Sequence, residues 1–388
     1  MTAQVDGNLL TDLKRFGAAD ISACFNCGIC SATCPLSTTG SAFPRRIFRF
    51  AQLGLKDQLL SSPELWLCYG CGECSDACPT GADPGDFMAA ARRYAIASYD
   101  RTRLARYLET SRIFAVVFIT ALVAILGAFM YSVHQPVDGS VLALFQWIPS
   151  GFVHDLGVGV MIVMGIAAVA GIVEMVRRVF RAQQVATPGA AAASRTLGQQ
   201  ARRLADGAWY AVGRESLAQT RFREECTDPV ESRPLYLRRW FIHAATMWGF
   251  LGLLAATMLD YGLELIGWKA TGTAVPIWYP VRLLGTIAGL ALVYGTTVLI
   301  WRRVRHTDRS SARSTVSDWS FLSLLWIAGV TGFVLELALY LPQSPTWGYA
   351  VFLVHVAVAM ALVILLPVSK FAHVIYRPIA LFAFRLRG

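Results

Sequence analysis

Residues 24–35 read CFNCGICSATCP and residues 68–79 read CYGCGECSDACP. They are one motif written twice: Cys24, Cys27, Cys30 and Cys34 followed by Pro35, then Cys68, Cys71, Cys74 and Cys78 followed by Pro79. Gly28 and Gly72 also fall at matching places, which suits a backbone that wraps closely with its amide hydrogens turned inward. Clustered cysteines act as metal ligands or redox groups in a reducing compartment and as disulfides in an oxidising one.

The spacing selects among these. A cubane of iron and sulfide needs four thiolates around it, and a short C-x2-C-x2-C loop supplies three while the fourth comes from elsewhere. Zinc usually takes two C-x2-C pairs separated by a longer spacer, so the doubled run ending in proline favours two 4Fe-4S clusters over zinc or disulfides. In two-cluster ferredoxins of this type the fourth cysteine of each run ligates the other cluster. That assigns Cys24, Cys27, Cys30 and Cys78 to one cluster, and Cys68, Cys71, Cys74 and Cys34 to the other. Cys226, the ninth cysteine, is expected to be an ordinary thiol. Between the runs Ile47, Phe50, Ala51 and Leu55 recur at helical spacing, and residues Asp86 to Arg112 read as one helix. Strand signals are lacking, so residues 1–110 are expected to form a helical ferredoxin module.

Beyond it the composition changes the solvent. The chain is 55% hydrophobic and only 15% charged, against roughly 25% charged in an average globular protein. Apolar stretches long enough to cross a bilayer, about 20 residues each, run from Ile113 to Tyr131, Leu156 to Val173, Trp240 to Leu259, Leu283 to Trp301, Trp319 to Leu335 and Trp347 to Ser369. The expected class is therefore all-α, with the ferredoxin module fused to a six-helix membrane bundle over residues 111–388 that contains a loop at about 178–237.

Arginines cluster before the first stretch (Arg101, Arg103, Arg106, Arg112), between the second and third (Arg177, Arg178, Arg181, Arg202, Arg203, Arg238, Arg239) and after the fourth (Arg302, Arg303, Arg305, Arg309, Arg313). Basic residues are retained on the cytoplasmic side. The protein is thus expected in the inner membrane with an even number of crossings, both termini and the cysteine module being cytoplasmic. The net charge of +10 is a topology signal and not a nucleic-acid footprint, because it forms no separate basic domain. No signal peptide is expected, since the first long apolar run starts only at Ile113.

His154, His243, His355 and His373 lie in or at the ends of these stretches, where ionisable groups are costly and often functional. A b-type haem needs two neutral imidazoles from opposite faces, most easily supplied by neighbouring helices. His243 follows Arg238 and Arg239 by about a turn, and His373 lies between Lys370 and Arg377 at the end of the last stretch. This pair is expected to share one haem near the cytoplasmic surface, with Arg and Lys at its propionates. The separation of His355 from His373 amounts to roughly 27 Å of continuous helix, which puts His355 on the opposite side. There His154 is its candidate partner for a second haem, with His134 as a competitor. His306 is expected to have no special role. Arg282, at the outer start of the fourth stretch, reads either as a snorkelling side chain or as a contact to a distal propionate or quinone head group. Lys269, Asp260, Glu264 and Glu336 are candidates for proton exchange near it.

These motifs carry a resemblance. The cysteine runs resemble the C subunit of heterodisulfide reductase. The stretch RRWFIHAATMWGF with the last apolar stretch resembles the haem-bearing membrane subunits of the same systems and the gamma subunit of respiratory nitrate reductase. The fusion resembles the C subunit of the quinone-interacting membrane-bound oxidoreductase complex of sulfate-reducing and sulfur-oxidising bacteria. One departure is clear: the nitrate reductase family has a further histidine on the first ligand-bearing helix, where this chain has Leu253. The resemblance implies electron transfer between a membrane quinone and cytoplasmic flavoproteins related to the A subunit of heterodisulfide reductase, with adenylylsulfate reductase as the ultimate partner. Flavin would sit in a partner, since this chain has no dinucleotide-binding glycine fingerprint. Two other readings remain: membership of a menaquinol-linked heterodisulfide reductase-type complex, and a non-catalytic membrane anchor.

Overall fold

A computed structural model describes residues 4–19, 21–39, 42–137, 142–186, 196–225, 233–270, 275–307, 314–341 and 346–386. Every regular element among them is helical, as the sequence led us to expect. Cys226, Arg309 and Arg313 lie outside the described residues.

The cysteine repeat is also a conformational repeat. Asn26 and Gly70 adopt the left-handed conformation with φ of 61° and 68°, and Gly28 and Gly72 do so with φ of 91° and 95°. Each of the latter two glycines starts a short helix, Ile29–Thr33 and Glu73–Asp76, and the two helices pack together. A hydrophobic core supports them. Ile47, Phe48 and Ala51 on the helix Arg45–Gln52 are buried against Phe87 on the helix Pro84–Tyr99, the rings of Phe48 and Phe87 lying 4.1 Å apart. Phe48 takes the inward position expected of Phe50, which is only half-buried.

The continuous helix expected from Asp86 to Arg112 is broken twice. The Asp100 carboxylate accepts from the Thr102 and Ala105 amides, both at 2.8 Å, and ends the helix that began at Pro84. Arg103 turns left-handed, with φ of 64°. After the helix Leu104–Thr110, the Ser111 hydroxyl caps a new helix at Phe114. Short polar side chains that bond the backbone locally compete with helix propagation, and here they turn one expected rod into three segments.

Six helices are long and apolar enough to cross a membrane: Arg112–Tyr131, Ser150–Ala182, Arg239–Leu265, Pro280–Val304, Val316–Tyr340 and Trp347–Val368. They coincide with the six apolar stretches. The third and fourth spans approach most closely, through glycines. A Cβ at Gly249 would stand 2.5 Å from the Leu292 amide nitrogen and 2.7 Å from the Ala288 carbonyl. Small residues that let backbones meet are how membrane helices pack without a hydrophobic driving force between them.

His373 does not sit at the end of the last span. The α-helix of that span stops at Leu365, the tighter turn Leu366–Val368 completes the span, and a further turn, Lys370–Ala372, precedes a separate helix, His373–Arg385. Pro367 lacks the amide that would continue the ladder, and the Ser369 hydroxyl caps Phe371 instead. The continuous rod expected between His355 and His373 is therefore interrupted. Tyr376 on this last helix packs against Trp66 and Tyr99 of the cysteine module, at ring distances of 5.5 and 5.2 Å, and its hydroxyl lies against Gly171 of the second span. One hydrophobic core thus runs through both halves.

The glycine contact yields a paired prediction. Gly249→Ala forces the third and fourth spans apart and costs about 1–3 kcal/mol, as overpacking does, whereas Gly262→Ala, with open space around its Cβ, leaves stability unchanged or slightly raised. Thermal unfolding midpoints in detergent measure both, and equal midpoints for the two variants would contradict this packing.

Candidate functional site

None of the eight repeat cysteines is joined in a disulfide. The electrostatic neighbours of Cys30 include Cys24, Cys27 and Cys78, while those of Cys34 are Cys68 and Cys71. Cys74 has Cys68, Cys71 and Cys34 as its nearest thiol neighbours, with Cys30 weaker. Cys34 therefore stands near Cys68, Cys71 and Cys74 of the second run, and Cys78 near Cys30 of the first. Cys34, Cys68, Cys71 and Cys74 together line one pocket. Among the described residues no three cysteine, histidine or acidic side chains converge tightly enough to hold one metal ion. A cubane asks for wider spacing, since each thiolate binds a different iron corner. The Asn26 and Gly70 amides point at the sulfurs of Cys24 and Cys68, at 3.4 and 3.3 Å. Burial pushes the Cys34 thiol up to about 12, so it stays protonated unless positive charge binds it.

The surroundings of the two groups differ. Cys27 and its neighbour Phe25 are exposed, whereas Cys74 is buried. The second group faces the membrane spans. Arg239, at the start of the third span, donates to the carbonyls of Cys71 and Gly70 at 2.9 and 2.8 Å. Tyr69, between Cys68 and Gly70, carries the Arg377 guanidinium over its ring at 4.2 Å, stacks on Phe222 at 5.3 Å and hydrogen-bonds Glu215. Phe222 in turn meets the ring of His243 edge-on at 5.7 Å. A continuous aromatic contact links the cysteine loop to a histidine one helical turn past Arg239.

His243 and His373 are near enough to interact electrostatically, with Lys370 and Arg377 beside them. His243 Nδ1 lies 3.1 Å from the Gln219 side-chain oxygen, and Gln219 also reaches Met247. His373 Nδ1 lies 2.7 Å from the Lys370 carbonyl. Both oxygens can only accept, so each Nδ1 carries the proton and each Nε2 keeps its lone pair. Burial is the main reason His373 is pushed down to about 4, and the nearby charges of Lys370 and Arg377 add to it. It therefore stays neutral, as a metal ligand must be. Arg377 Nε and Nη2 are buried without a hydrogen-bond partner among the described residues. Two neutral imidazoles with Arg377 near them are the donor set that a haem iron and a propionate would need.

The other two histidines have separate surroundings. His355 Nδ1 lies 2.9 Å from the Thr331 hydroxyl, which donates its own proton to the Ile327 carbonyl at 2.6 Å. His154 Nδ1 lies 3.3 Å from the carboxylate of the adjacent Asp155, and the His154 ring stacks on Tyr261 of the third span at 4.5 Å. His134 bonds the Tyr131 carbonyl and stacks on that ring. Arg282 pairs with Glu336 at 3.4 Å and lies over Tyr340, and Lys269 binds Asp260 at 2.7 Å. These charged side chains satisfy one another at the far end of the bundle.

Gln219, Phe222 and Glu215 were not legible as site residues, because they lie in the polar segment between the second and third spans and match no motif. Tyr69 had a signal: it and Phe25 are the aromatic residues after the first cysteine of each run. The Arg239 contact can be tested directly. Arg239→Met removes two hydrogen bonds from a charged donor, about 1.5–3 kcal/mol each, and is expected to raise hydrogen exchange in the loop 68–74 while the loop 24–30 is unchanged. Equal protection of loop 68–74 in variant and parent would show that this contact does not hold it.

A family model described as a 4Fe-4S dicluster domain matches residues 20–82, and one described as citrate utilization protein B matches residues 108–388. The chain is 30% identical over 154 residues to Citrate utilization protein B of Escherichia coli, covering 39% of this chain and 38% of that protein. It is 41% identical over 75 residues to the iron-sulfur C subunit of the CoB–CoM heterodisulfide reductase of Methanopyrus kandleri, covering 19% and 39%. It is 26% identical over 157 residues to the E subunit of the dihydromethanophenazine:CoB–CoM heterodisulfide reductase of Methanosarcina mazei, covering 37% and 59%. Each match thus spans less than two thirds of the relative. No solved structure matches the chain. The second family model takes in all six spans and both helices that bear His243 and His373, and the chain belongs to the citrate utilization protein B family.

Proposed function

We propose that this chain is the membrane electron-transfer subunit of an oxidoreductase complex, linking a quinone pool to cytoplasmic flavoprotein subunits. Cys24, Cys27, Cys30 and Cys78 would hold one 4Fe-4S cluster, and Cys68, Cys71, Cys74 and Cys34 the other. His243 and His373 would hold a b haem through Nε2, with Arg377 at a propionate. His355 and His154 are the candidates for a second haem. When bound, these groups supply one-electron redox chemistry. The protein's own part is to fix their spacing, keep the imidazoles neutral and oriented through Gln219 and the Lys370 carbonyl, and exclude water from the path between them. The observation that carries the reading is the contact chain from the Cys68 loop through Tyr69 and Phe222 to His243.

The C and E subunits of heterodisulfide reductases resemble the two halves, which supports flavoprotein partners of the heterodisulfide reductase type. The inner-membrane, cytoplasm-facing orientation rests on the arginine distribution. An adenylylsulfate reductase partner rests on the sequence resemblance alone. The family match favours a second reading of the partner, in which the complex serves citrate utilization. Affinity purification of the tagged chain from its own membranes should co-purify a flavoprotein. Which electron source then bleaches the clusters, adenylylsulfate chemistry, a thiol–disulfide couple or a tricarboxylate, separates the readings. A purified complex whose clusters no quinol analogue reduces would leave only the anchor.

Ligation is tested by spectroscopy. Cys34→Ala should remove the paramagnetic signal of one cluster and leave the other, and His243→Ala or His373→Ala should remove the same haem band in an optical redox titration. A second haem held by His154 requires that His154→Ala remove a different component. Retention of every haem signal in that variant would sink the second-haem assignment.

A further inference from the structure

The arginines around the two cysteine loops are used differently. Those of the second loop bind its backbone: Arg92 donates to the Cys68 carbonyl at 3.2 Å, and Arg239 to the carbonyls of Gly70 and Cys71. Around the first loop they lie at the surface. From residue 21 to residue 55 the chain has three arginines, Arg45, Arg46 and Arg49, and no lysine or acidic residue. All three are exposed. Arg46 turns to Glu64 of the module, at 3.6 Å. Arg45 and Arg49 lie one turn apart on the helix Arg45–Gln52, on the side that meets the first loop. Arg45 Nε donates to the Asn26 side chain at 2.8 Å, and Gln52, three residues after Arg49, donates to the Cys24 carbonyl at 3.0 Å.

Beside these cations the loop exposes apolar groups and a cluster ligand. Phe25 is 82% exposed and Ile29 40%, and Cys27 between them is exposed as well. Aromatic side chains and arginine are the residue types enriched at protein interfaces and at their energetic centres. Cys27, as a ligand, would bring the edge of the first cluster to the surface at the same place. We infer that this face, Phe25, Cys27 and Ile29 flanked by Arg45 and Arg49, is where an acidic flavoprotein docks and exchanges electrons with the first cluster. The inference rests on the electron-transfer reading above and adds the face and the charge of the partner.

The partner presents carboxylates to Arg45 and Arg49 and an apolar recess to Phe25. One electron crosses per encounter: the reduced flavin loses one electron, its proton passing to solvent, and the first cluster gains it. Flow in the other direction is the reverse. Opposite charge on the two faces steers the encounter and speeds association, and does so most at low salt. An anionic bilayer would also answer the arginines. The arginine that opens the third span binds the second loop, however, and a bilayer surface neither gives nor takes electrons at Cys27.

The test uses the full chain in lipid nanodiscs, its clusters loaded, with flavodoxin, a small acidic flavoprotein, as probe. Hydrogen exchange with oxidised flavodoxin bound is expected to show added protection in residues 24–33 and 45–50 and none in residues 68–74. The dissociation constant should rise roughly tenfold or more between about 0.01 and 0.1 M salt, as the screening length falls from about 30 to about 10 Å. Arg49→Glu should weaken binding at low salt about tenfold, and Phe25→Ala by a similar factor. Both variants should keep the parent's cluster spectrum and its reduction by a quinol analogue. Protection elsewhere on the chain, or binding unmoved by salt and by both variants, would overturn this docking face. Protection of residues 24–33 by anionic over neutral nanodiscs without flavodoxin would overturn it in favour of lipid. If Arg49→Glu does not fold, Phe25→Ala and the parent's salt dependence decide. Binding at this face in a parent whose clusters no quinol analogue reduces would overturn the functional reading, and with it the electron step, while keeping the docking face.

Discussion

Much of the structure hangs on the fork of hydrogen bonds from Arg239 to the carbonyls of Gly70 and Cys71. Its planar guanidinium meets two acceptors at once, which fixes direction as well as distance. Because Arg239 opens the third span, the contact sets the depth of the second cysteine loop against the bundle. His243 follows four residues later and so projects from the same face, one turn further in. The stacked rings of Tyr69 and Phe222 then fill the space between loop and helix. An aliphatic filling would pack as well, but Tyr69 also gives a face to the Arg377 cation and a hydroxyl to Glu215, which joins the last helix and the segment before the third span to the same point.

A second constraint is the charge buried at the same end of the bundle. Arg93, Glu109 and Asp318 are each nearly enclosed, and isolated charges there would each cost several kcal/mol. Arg93 and Lys370 both face Asp318, while Glu109 has one weaker ion pair and a serine. Burial raises the Glu109 carboxyl, and that imbalance leaves the rise less opposed than at Asp318. Its sign for stability follows: the folded chain holds the proton over the range between an ordinary carboxyl and about pH 7, so its contribution to stability declines as pH rises through that range.

The sequence made the repeat, the six spans and the four membrane histidines legible, because each depends on local spacing or on long apolar runs. Helix breaks were less legible. Asp100 and Ser111 end and restart helices through side-chain bonds to nearby amides, and a periodic apolar pattern runs straight over such caps. The break before His373 was marked by Pro367, yet the hydropathy around it hid the change of direction. Gln219 and Phe222 reach His243 only through tertiary packing, and no local pattern announces that. The converse holds for Arg282: its charge in an apolar run drew attention, and the fold pairs it with Glu336.

The two copies of the cysteine motif show what a repeat leaves open. Their left-handed residues, their amide-to-sulfur contacts and their short helices match, so the local instructions are the same. What differs is what each copy touches. Phe25 projects from the first copy into solvent, while Tyr69 at the matching position of the second is covered by Arg377 and Phe222. A large exposed aromatic beside an exposed Cys27 costs solubility and gives the isolated chain nothing in return. The buried one joins three separate segments to the bundle. The repeat therefore makes a module with one end committed to its own membrane half and the other turned outward, and this asymmetry arises from tertiary context on a symmetric motif.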